Sequence, residues 1–452
     1  MTVVRLHREA GRADVQSSPR PPLHDRRRGA PMRARLRPAA AAALVLLPLL
    51  LGGCGGHGAD ALRIGAVFPL TGPQSGGYAQ EELAGVEIAR DLVNADGGVA
   101  GRPLELDLKD LPGRDVGPER ATELHRDGVP VVVGAYSSDL SMPVSYATSQ
   151  AGMVYWEAGA VADQLTGRGL DRVFRVGATG SNLGDNSGRF AATQLAPMIG
   201  RPAADLRVSM VVADDDYAHS VADAATATLR AAGMQVVSTS TYFPGAPRWD
   251  PVIAELRAAH PDILILASHI PDGVAFRKAM LAADVRVDAF IGSTMAQCLP
   301  DFGELLGPAA VGVFASDRPG GGFDPATLRP EGRALYARLA AAWKARRGGT
   351  PTEEGLSGFT AAWALFHDVL PRAAASGGLD PAHIAAAARA ADLPEGSLPN
   401  GAGLLFAGRG DRLGQNLRAA AVIWQWQAVR HSVVVWPAVY ATGRAELVPP
   451  SQ

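Results

Sequence analysis

Cysteine is scarce in this sequence, since only Cys54 and Cys298 occur among 452 residues. This scarcity excludes a framework of several intramolecular disulfides. A structural zinc site needs about four ligands, more than Cys54 and the neighbouring His57 supply, and the ten histidines show no metal-ligand spacing. We expect no metal and no cofactor, so a large apolar core must stabilise the fold.

A surplus of basic charge is also lacking. The 43 lysines and arginines are matched by 45 acidic residues, and the formal net charge is −2. This balance argues against the basic face that a nucleic-acid partner requires. Catalytic signatures are lacking too, because we find no Gly-x-Ser-x-Gly, no His-Glu-x-x-His, no Gly-x-x-x-x-Gly-Lys and no Gly-x-Gly-x-x-Gly after the first predicted strand. We therefore expect a protein that is not an enzyme.

The longest apolar run near the N-terminus covers residues 39–51. It is too short to span a bilayer, which takes roughly twenty residues, but it fits the apolar part of a secretory signal. Three arginines precede the run, so we predict a signal peptide over residues 32–53. The Arg- and Pro-rich residues 1–31 are interpreted either as a disordered leader or as sequence upstream of the true start.

Cys54 follows a leucine and two glycines, and this order resembles the Leu-x-Gly-Cys lipobox of bacterial lipoproteins. The resemblance implies that Cys54 is acylated and becomes the new N-terminus, with residues 54–61 as a tether. Such an anchor would hold the protein on the bacterial cell membrane, in the periplasm or on the outer face. An ordinary signal peptide that ends near a cysteine remains the alternative.

Predicted strands and helices alternate along the rest of the chain. LRIGAVF (residues 62–68) predicts the first strand, and a second alternating series begins near residue 206. Such alternation predicts an α/β fold with parallel, doubly wound sheets, and the two series predict two lobes. Two long helices, around 331–346 and 354–375, and two C-terminal strands complete the pattern.

In open α/β sheets a ligand binds beyond the carboxyl ends of the strands, so the residues that follow each strand are candidates. Ser137 and Ser138 follow VPVVVGAY at the start of a predicted helix, where free N–H groups and hydroxyls can hold a carboxylate. Simple N-capping is the alternative for both serines. The acidic residues 214–216 follow another strand, where a solvated loop is favoured over a metal site.

Further candidates follow two other strands. Gly159 lets a ligand approach the backbone closely, and Trp156 offers a flat apolar wall, with core packing as its alternative. Asp272 begins another predicted helix and could hold an ammonium group, with capping as its alternative.

Several stretches together resemble the leucine/isoleucine/valine-binding protein family, which comprises type I periplasmic solute-binding proteins of branched-chain amino acid-type ABC transporters. Residues 62–106 resemble the opening of that family and carry its Asn-x-x-Gly-Gly-x-x-Gly pattern from Asn94 to Gly101. VVVGAYSSDLSMPVSYATSQAGMVYWEAGAVADQLTGRG, VVADDDYAHSVADAATATLRAAGMQVV and PDILILASHIPDGVAFRKAM continue the resemblance in order, and it covers nearly all of residues 62–440.

The resemblance implies roles for individual residues. Ser137 and Ser138 fall where the family binds the ligand carboxylate, and Gly159 and Ala160 fall where backbone atoms hold the α-carboxylate and α-ammonium groups. The remaining implied ligand-binding residues are Tyr217, whose ring faces the cleft, Asp272 against the ammonium group, and Tyr78 near the first cleft loop.

This sequence departs from the family pattern at two positions near the expected cleft, and it also lacks the N-lobe disulfide of some members. Ala218 stands where the family has glycine after the cleft tyrosine, and Glu157, preceded by Trp156, stands where the family has a small residue. If both side chains point inward, Trp156 and Glu157 belong to the ligand-binding set. The pair would then suit an aromatic, cationic or larger ligand.

The resemblance also implies how the chain divides into lobes. Two Rossmann-like lobes are joined by a three-stranded hinge, with crossings near residues 178, 315 and 420. Lobe one is predicted to comprise residues 62–177 plus 316–418. Lobe two is predicted to comprise residues 178–315 plus 419–445.

Taken together, the sequence predicts a monomeric, extracytoplasmic solute-binding lipoprotein of an ABC importer. It would capture an amino acid, an amide or an aromatic carboxylate by hinge closure and deliver it to the permease subunits. A ligand sensor of the same fold, acting on a signalling partner, is the alternative.

Overall fold

Two β-sheets organise the chain. The computed structural model describes residues 60–293, 297–320 and 322–448. The predictions for the leader, the signal peptide, the lipidation of Cys54 and most of the tether lie outside these described residues. The strands are β1 (Leu62–Phe68), β2 (Leu104–Asp110), β3 (Val131–Gly134), β4 (Val154–Glu157), β5 (Val173–Arg175), β6 (Arg207–Ala213), β7 (Gln235–Tyr242), β8 (Ile263–Ala267), β9 (Ala289–Ser293), β10 (Phe314–Asp317), β11 (Val422–Ala428) and β12 (His431–Trp436).

The helices lie between these strands. The α-helices are α1 (Gly77–Ala95), α2 (Gly117–Arg126), α3 (Ser138–Gln150), α4 (Gln164–Gly167), α5 (Gly180–Phe190), α6 (Ala196–Ile199), α7 (Asp216–Ala231), α8 (Trp249–Ala259), α9 (Ile270–Ala282), α10 (Pro300–Leu306), α11 (Pro330–Arg347), α12 (Glu353–Trp363), α13 (Leu370–Ser376) and α14 (Pro381–Arg389). Short 3₁₀ turns occur at Arg114–Val116, Ala203–Asp205, Gly307–Ala310, Pro325–Thr327 and Gly410–Arg412, and π-helical turns at Ala191–Leu195 and Ala364–Val369.

Both sheets share one pattern of strand order. The first sheet has the order β2-β1-β3-β4-β5, with every neighbouring pair parallel. The second sheet has the order β12-β11-β10-β9-β8-β6-β7, parallel from β7 to β10, and the hairpin β11–β12 extends it in the antiparallel direction. In each sheet the winding direction reverses at one position, between β1 and β3 and between β6 and β8, and such a reversal opens a crevice for a ligand.

The apolar composition of the central strands explains their position. Val131 and Val133 of β3 join the apolar core on one face of the first sheet, and Val132 joins a separate cluster on the other face. Successive side chains of a strand point to opposite faces, so a continuous valine run requires helices on both sides. β8 has the same character, since all of its side chains are buried. The predicted α/β fold with parallel sheets is confirmed.

The chain passes between the two sheets three times. It builds β1–β5, then β6–β10, and then helices whose apolar residues, such as Leu339 and Phe359, complete the core of the first sheet. It finally returns to the second sheet with β11 and β12. The helix predicted around 354–375 is α12, a π-helical turn and α13 in succession. No helix in the described part of the chain is both long and apolar enough to cross a bilayer.

Helices α1 and α12 pack closely together and bring acidic residues behind the first sheet. A Cβ atom on Gly85 of α1 would lie 2.2 Å from the main-chain oxygen of Gly355, so this approach requires glycine. The contact places Glu82 of α1 near the first turn of α12, where Glu353 and Glu354 lie.

Candidate ligand-binding site

A cavity of about 690 Å³ lies at the carboxyl ends of the parallel strands. The loops that follow β1 and β3 of the first sheet and β6 and β8 of the second sheet all contribute to its wall. These are the two positions where the winding direction reverses. The wall is formed by Pro73, Gln74, Gly76, Tyr78, Arg114, Tyr136, Ser137, Ser138, Asp139, Gly159, Ala160, Val161, Asp214, Asp215, Asp216, Tyr217, His269, Ile270, Pro271, Leu299 and Arg318.

Ser137 and Ser138 begin helix α3 at the wall of the cavity. The Ser137 side chain caps the helix by accepting from the N–H of Leu140, and its hydroxyl donates to Gln74. The Ser138 hydroxyl oxygen accepts from the N–H of Ala162 at 3.0 Å. Ser137 therefore caps the helix, and both serines also line the cavity.

Gly159 and Ala160 also line the cavity, but their main-chain groups are occupied. Oε1 of Glu157 accepts from both N–H groups, at 2.9 Å from Gly159 and 2.8 Å from Ala160. The carbonyl oxygen of Gly159 accepts from Nη1 of Arg318 at 2.9 Å, and that of Ala160 accepts from Arg175 at 3.3 Å. The hydrogen-bonding groups that the resemblance assigned to the ligand thus bind side chains of this chain.

Glu157 is fully buried and does not line the cavity. Its second oxygen accepts from the Tyr155 hydroxyl at 3.1 Å. Burial raises the pKa of Glu157, although hydrogen bonds from Ser141 and the two backbone N–H groups work against this rise. The interpretation of Glu157 as a pocket-wall residue is corrected, because its buried carboxylate accepts hydrogen bonds from the backbone of the loop after β4 and does not face the cavity.

Trp156 is likewise a core residue, and its assignment to the pocket wall is corrected. Its ring lies fully buried beside Phe174 and Phe406, at centroid distances of 5.8 and 5.3 Å. Its Nε1–H donates to the carbonyl oxygen of Ala361 at 2.8 Å. Adjacent residues on a strand face opposite sides, so Trp156 and Glu157 could not both point into one pocket.

Tyr217 lines the cavity from the second sheet, and Tyr78 lines it from the start of α1. The Tyr217 hydroxyl lies 2.8 Å from Ser293 Oγ and donates to the Ser268 carbonyl oxygen at 3.1 Å. Burial raises the pKa of both tyrosines, so both hydroxyls stay neutral.

Asp272, the acid expected to face an ammonium group, is placed differently. It lies buried in the first turn of α9, and its carboxylate accepts from the Tyr242 hydroxyl. It is not part of the cavity wall. The expected role of Asp272 is corrected, because its carboxylate is directed at a tyrosine within the second lobe.

His269 and Asp215 form a pair that the sequence reasoning missed. His269 Nε2 lies 2.7 Å from Asp215 Oδ2, and the imidazole stacks edgewise on Tyr217 at a centroid distance of 5.2 Å. Burial disfavours the charged imidazolium, but the hydrogen bond to Asp215 outweighs it and raises the pKa of His269. His269 lies two residues after the end of β8, at the crevice, and this position was the signal that could have identified it.

Arg318 is the other missed residue, and it lies at the end of β10. Its guanidinium is buried, with Nη2 at 2.8 Å from Glu353 and 3.1 Å from Glu354. Burial raises the pKa of Glu353 to about 8 and that of Glu354 to about 7, and Arg318 opposes both rises.

Both carboxylate oxygens of Glu82 lack a hydrogen-bond partner among the described residues, and burial raises the pKa of this group strongly.

Cys298, Asp317 and Glu353 also lie close together behind the cavity. One sulfur or carboxylate oxygen atom from each residue, of the kind that can bind a metal ion, lies within 4.8 Å of the others. Cys298 Sγ donates a hydrogen bond to Asp317 at 2.5 Å. Arg318 already balances the negative charge of this group. The cluster is therefore explained as part of the same buried ion-pair network.

Sequence comparison assigns this architecture to a family. The sequence profile described as "Periplasmic binding protein" matches residues 61–423. The chain belongs to this periplasmic binding protein family. Leu/Ile/Val-binding protein homolog 8 of Brucella abortus (strain 2308) is 28% identical over 369 residues, which cover 81% of this chain and 88% of the relative.

Solved structures of periplasmic binding proteins share the fold. The leucine-binding protein LivK of Thermotoga maritima MSB8 has a TM-score of 0.68 and 16% identity, with 83% of this chain and 98% of that chain covered. A solute-binding protein of an ABC transporter from Rhodopseudomonas palustris BisB5, in complex with 3,4-dihydroxy benzoic acid, has a TM-score of 0.63 and 19% identity, with 81% and 93% covered. The type I periplasmic binding protein fold and the predicted family are confirmed.

Membership in this family establishes the general function and the location of the protein. It is a periplasmic solute-binding protein of the branched-chain amino acid ABC transporter type, and its location is extracytoplasmic. The named relatives are binding proteins, which is consistent with the expectation that the chain is not an enzyme.

Proposed function

We propose that this protein captures a small carboxylate-bearing solute in the cavity between its two sheets and delivers it to the permease of an ABC importer. One observation carries the proposal. Loops that follow β1 and β3 of one sheet and β6 and β8 of the other converge on a single cavity. A solute bound there touches both halves of the molecule and favours their closure.

The chemistry of the wall supports a carboxylate-bearing solute. The N-terminus of α3 offers main-chain N–H groups, the positive end of the helix dipole and the hydroxyls of Ser137 and Ser138. Among the structural neighbours, LivK is named as a leucine-binding protein, and the Rhodopseudomonas protein holds 3,4-dihydroxy benzoic acid. Both of these ligands bear a carboxylate group.

The remaining parts of the proposal concern assembly. We propose lobes of residues 62–177 plus 316–418 and 178–315 plus 419–445, joined by three hinge crossings. Acylation of Cys54 would anchor the monomeric protein beside its permease, and more than one acyl chain is needed for firm anchoring.

A thermal-shift screen of the protein against amino acids, amides and aromatic carboxylates tests this function. A solute that binds only the folded state raises the unfolding temperature by mass action. We expect a shift with carboxylate-bearing solutes, and we expect Ser138→Ala to weaken their binding about tenfold, since one hydrogen bond to a charged group is worth about 1.5 kcal/mol or more. Ser149→Ala, at the far end of α3, is the matched control and should bind normally. The absence of a shift with every class would contradict the proposal.

A further inference from the structure

We infer that the solute is a small organic carboxylate that carries no α-ammonium group. This inference rests on the proposed solute-binding function and narrows its substrate class. It follows from three features of the cavity: occupied main-chain groups, paired acidic side chains and unused hydrogen-bond donors.

The first feature is the occupied loop after β4. An α-amino acid needs acceptors for its ammonium group, and in this protein the carbonyl oxygens of Gly159 and Ala160 already accept from Arg318 and Arg175. The N–H groups of the same two residues donate to Glu157. Both arginines and Glu157 are buried, so bulk water cannot replace them as partners. Each carbonyl oxygen keeps a second lone pair, but an ammonium group bound there would lie beside the positive charge of Arg318 or Arg175, which opposes the binding of a zwitterion.

The second feature is the pairing of the acidic side chains at the cavity wall. Three aspartates already have side-chain partners: Asp139 lies 3.0 Å from Arg114, Asp214 lies 3.0 Å from His219, and Asp215 lies 2.7 Å from His269. Asp139, Asp214 and the fourth aspartate, Asp216, are exposed to solvent, so water screens their charges.

Asp272 cannot replace them, because its carboxylate is directed at Tyr242 and lies outside the wall. Among the described residues, no buried carboxylate at the wall is left to balance a ligand ammonium group. A charge that is buried without a partner costs several kcal/mol, so an ammonium group at this site would oppose binding.

The third feature is a pair of donors that face the cavity from opposite sheets. On the first sheet, Ser138 and the start of α3 present a hydroxyl and N–H groups. On the second sheet, His269 binds Asp215 through Nε2, and its Nδ1 has no partner among the described residues. An imidazolium held by Asp215 donates through Nδ1, and such a charge-assisted hydrogen bond suits a carboxylate or a hydroxyl.

The space between these donors is largely apolar. Its wall includes Tyr78, Tyr136, Val161, Tyr217, Ile270 and Leu299. Aromatic and aliphatic side chains of this kind favour a ligand with a hydrophobic body. A carboxylate with an aromatic or branched aliphatic body therefore matches the cavity better than a zwitterion does.

Isothermal titration of the protein with matched solutes tests this inference. 3-Phenylpropanoate and L-phenylalanine differ only in the α-ammonium group, as do 4-methylpentanoate and L-leucine. We expect the carboxylate of each pair to bind at least about tenfold more tightly than its amino acid, a difference of about 1.4 kcal/mol. Equal or tighter binding of the amino acids would overturn the inference and leave the proposed receptor function intact. If no solute of either pair binds, the inference also fails. The proposed receptor function itself would be overturned only if the thermal-shift screen gave no hit with any solute class.

His269 provides a second, independent test. We expect His269→Gln to weaken 3-phenylpropanoate binding about tenfold without lowering the unfolding temperature of the ligand-free protein by more than a few degrees. The matched control is His383→Gln, which changes another histidine that pairs with an aspartate, Asp380, but lies outside the cavity wall. Unchanged affinity in His269→Gln would overturn the role assigned to the imidazolium.

Discussion

Nη1 of Arg318 donates a hydrogen bond to the carbonyl oxygen of Gly159, with a nitrogen–oxygen distance of 2.9 Å. This bond joins the end of β10 in the second sheet to the loop after β4 in the first sheet. Arg318 also pairs with Glu353 and Glu354 at the start of α12. One buried cation thus connects both sheets at the floor of the cavity.

Replacement of Arg318 by methionine should therefore destabilise the protein strongly. Above about pH 8, where Glu353 and Glu354 are ionised, the change removes the guanidinium that balances their charge, and it costs about 3–5 kcal/mol because buried carboxylates lose their partner. Urea unfolding measures this loss as a lower midpoint. Arg286→Met is the matched control, since this exposed arginine pairs with Asp284 at the surface and should change stability by about 0.5 kcal/mol or less. A similar effect of both substitutions would contradict the assigned role of Arg318.

The buried glutamates also predict a dependence of stability on pH. Burial raises the pKa of Glu353 to about 8 and that of Glu354 to about 7, whereas a glutamate in an unfolded chain has a pKa of about 4.3. Between these values the folded state holds protons that the unfolded state has released. The free energy of unfolding must therefore fall as the pH rises from about 5 to about 8.

Thermal unfolding followed across this range measures the effect. The unfolding temperature should fall with rising pH, and His269, whose pKa is also raised, acts in the same direction. Glu353→Gln should flatten the curve, because the amide does not titrate. A constant or rising unfolding temperature would show that these carboxyl groups are ionised in the folded protein.

Gly159 is predicted to tolerate no side chain. A Cβ atom at this position would lie 2.1 Å from Oε2 of the buried Glu82 and 2.6 Å from the carbonyl oxygen of Tyr136. Gly159→Ala should therefore cost about 1–3 kcal/mol of stability through overpacking and should weaken solute binding by moving the cavity wall. Gly408→Ala is the control, because a Cβ atom at Gly408 would have no neighbouring atom within 4 Å among the described residues. Equal stability of the two variants, measured by urea unfolding, would refute the close approach at Gly159.

Trp156 is predicted to support the fold and not the ligand. Trp156→Phe removes the indole hydrogen bond to the Ala361 carbonyl oxygen and shortens a fully buried ring, at a cost of roughly 2 kcal/mol. The affinity for the solute should stay within about twofold of the unmodified protein, a difference of less than about 0.5 kcal/mol. Urea unfolding and isothermal titration measure the two quantities separately. A large loss of affinity with unchanged stability would contradict this prediction and would show that Trp156 contacts the solute.

Sequence reasoning located the cavity because strand ends can be read from local patterns. The residues after β3, β4 and β6 were predicted to lie together, and Ser137, Ser138, Gly159, Ala160 and Tyr217 all line one cavity. The alternation of strands and helices predicted the two sheets for the same reason, since the apolar period of each element is local.

Side-chain directions and distant partners could not be predicted in this way. Alternation along β4 shows that Trp156 and Glu157 face opposite sides, but the packing of α12 decides which side is the core. Arg318 meets Gly159 across the first passage between the sheets and the glutamates of α12 across the second. Such contacts depend on the tertiary fold, so the ion-pair network behind the cavity was missed.

Small-angle X-ray scattering tests the central claim most directly, namely that a solute between the two sheets closes the molecule. The protein is measured alone and saturated with the carboxylate that gives the largest thermal shift. We expect the radius of gyration to fall on saturation, and we expect a smaller fall in Ser138→Ala at the lowest solute concentration that saturates the unmodified protein. An unchanged radius of gyration in the fully saturated protein would contradict closure around the solute.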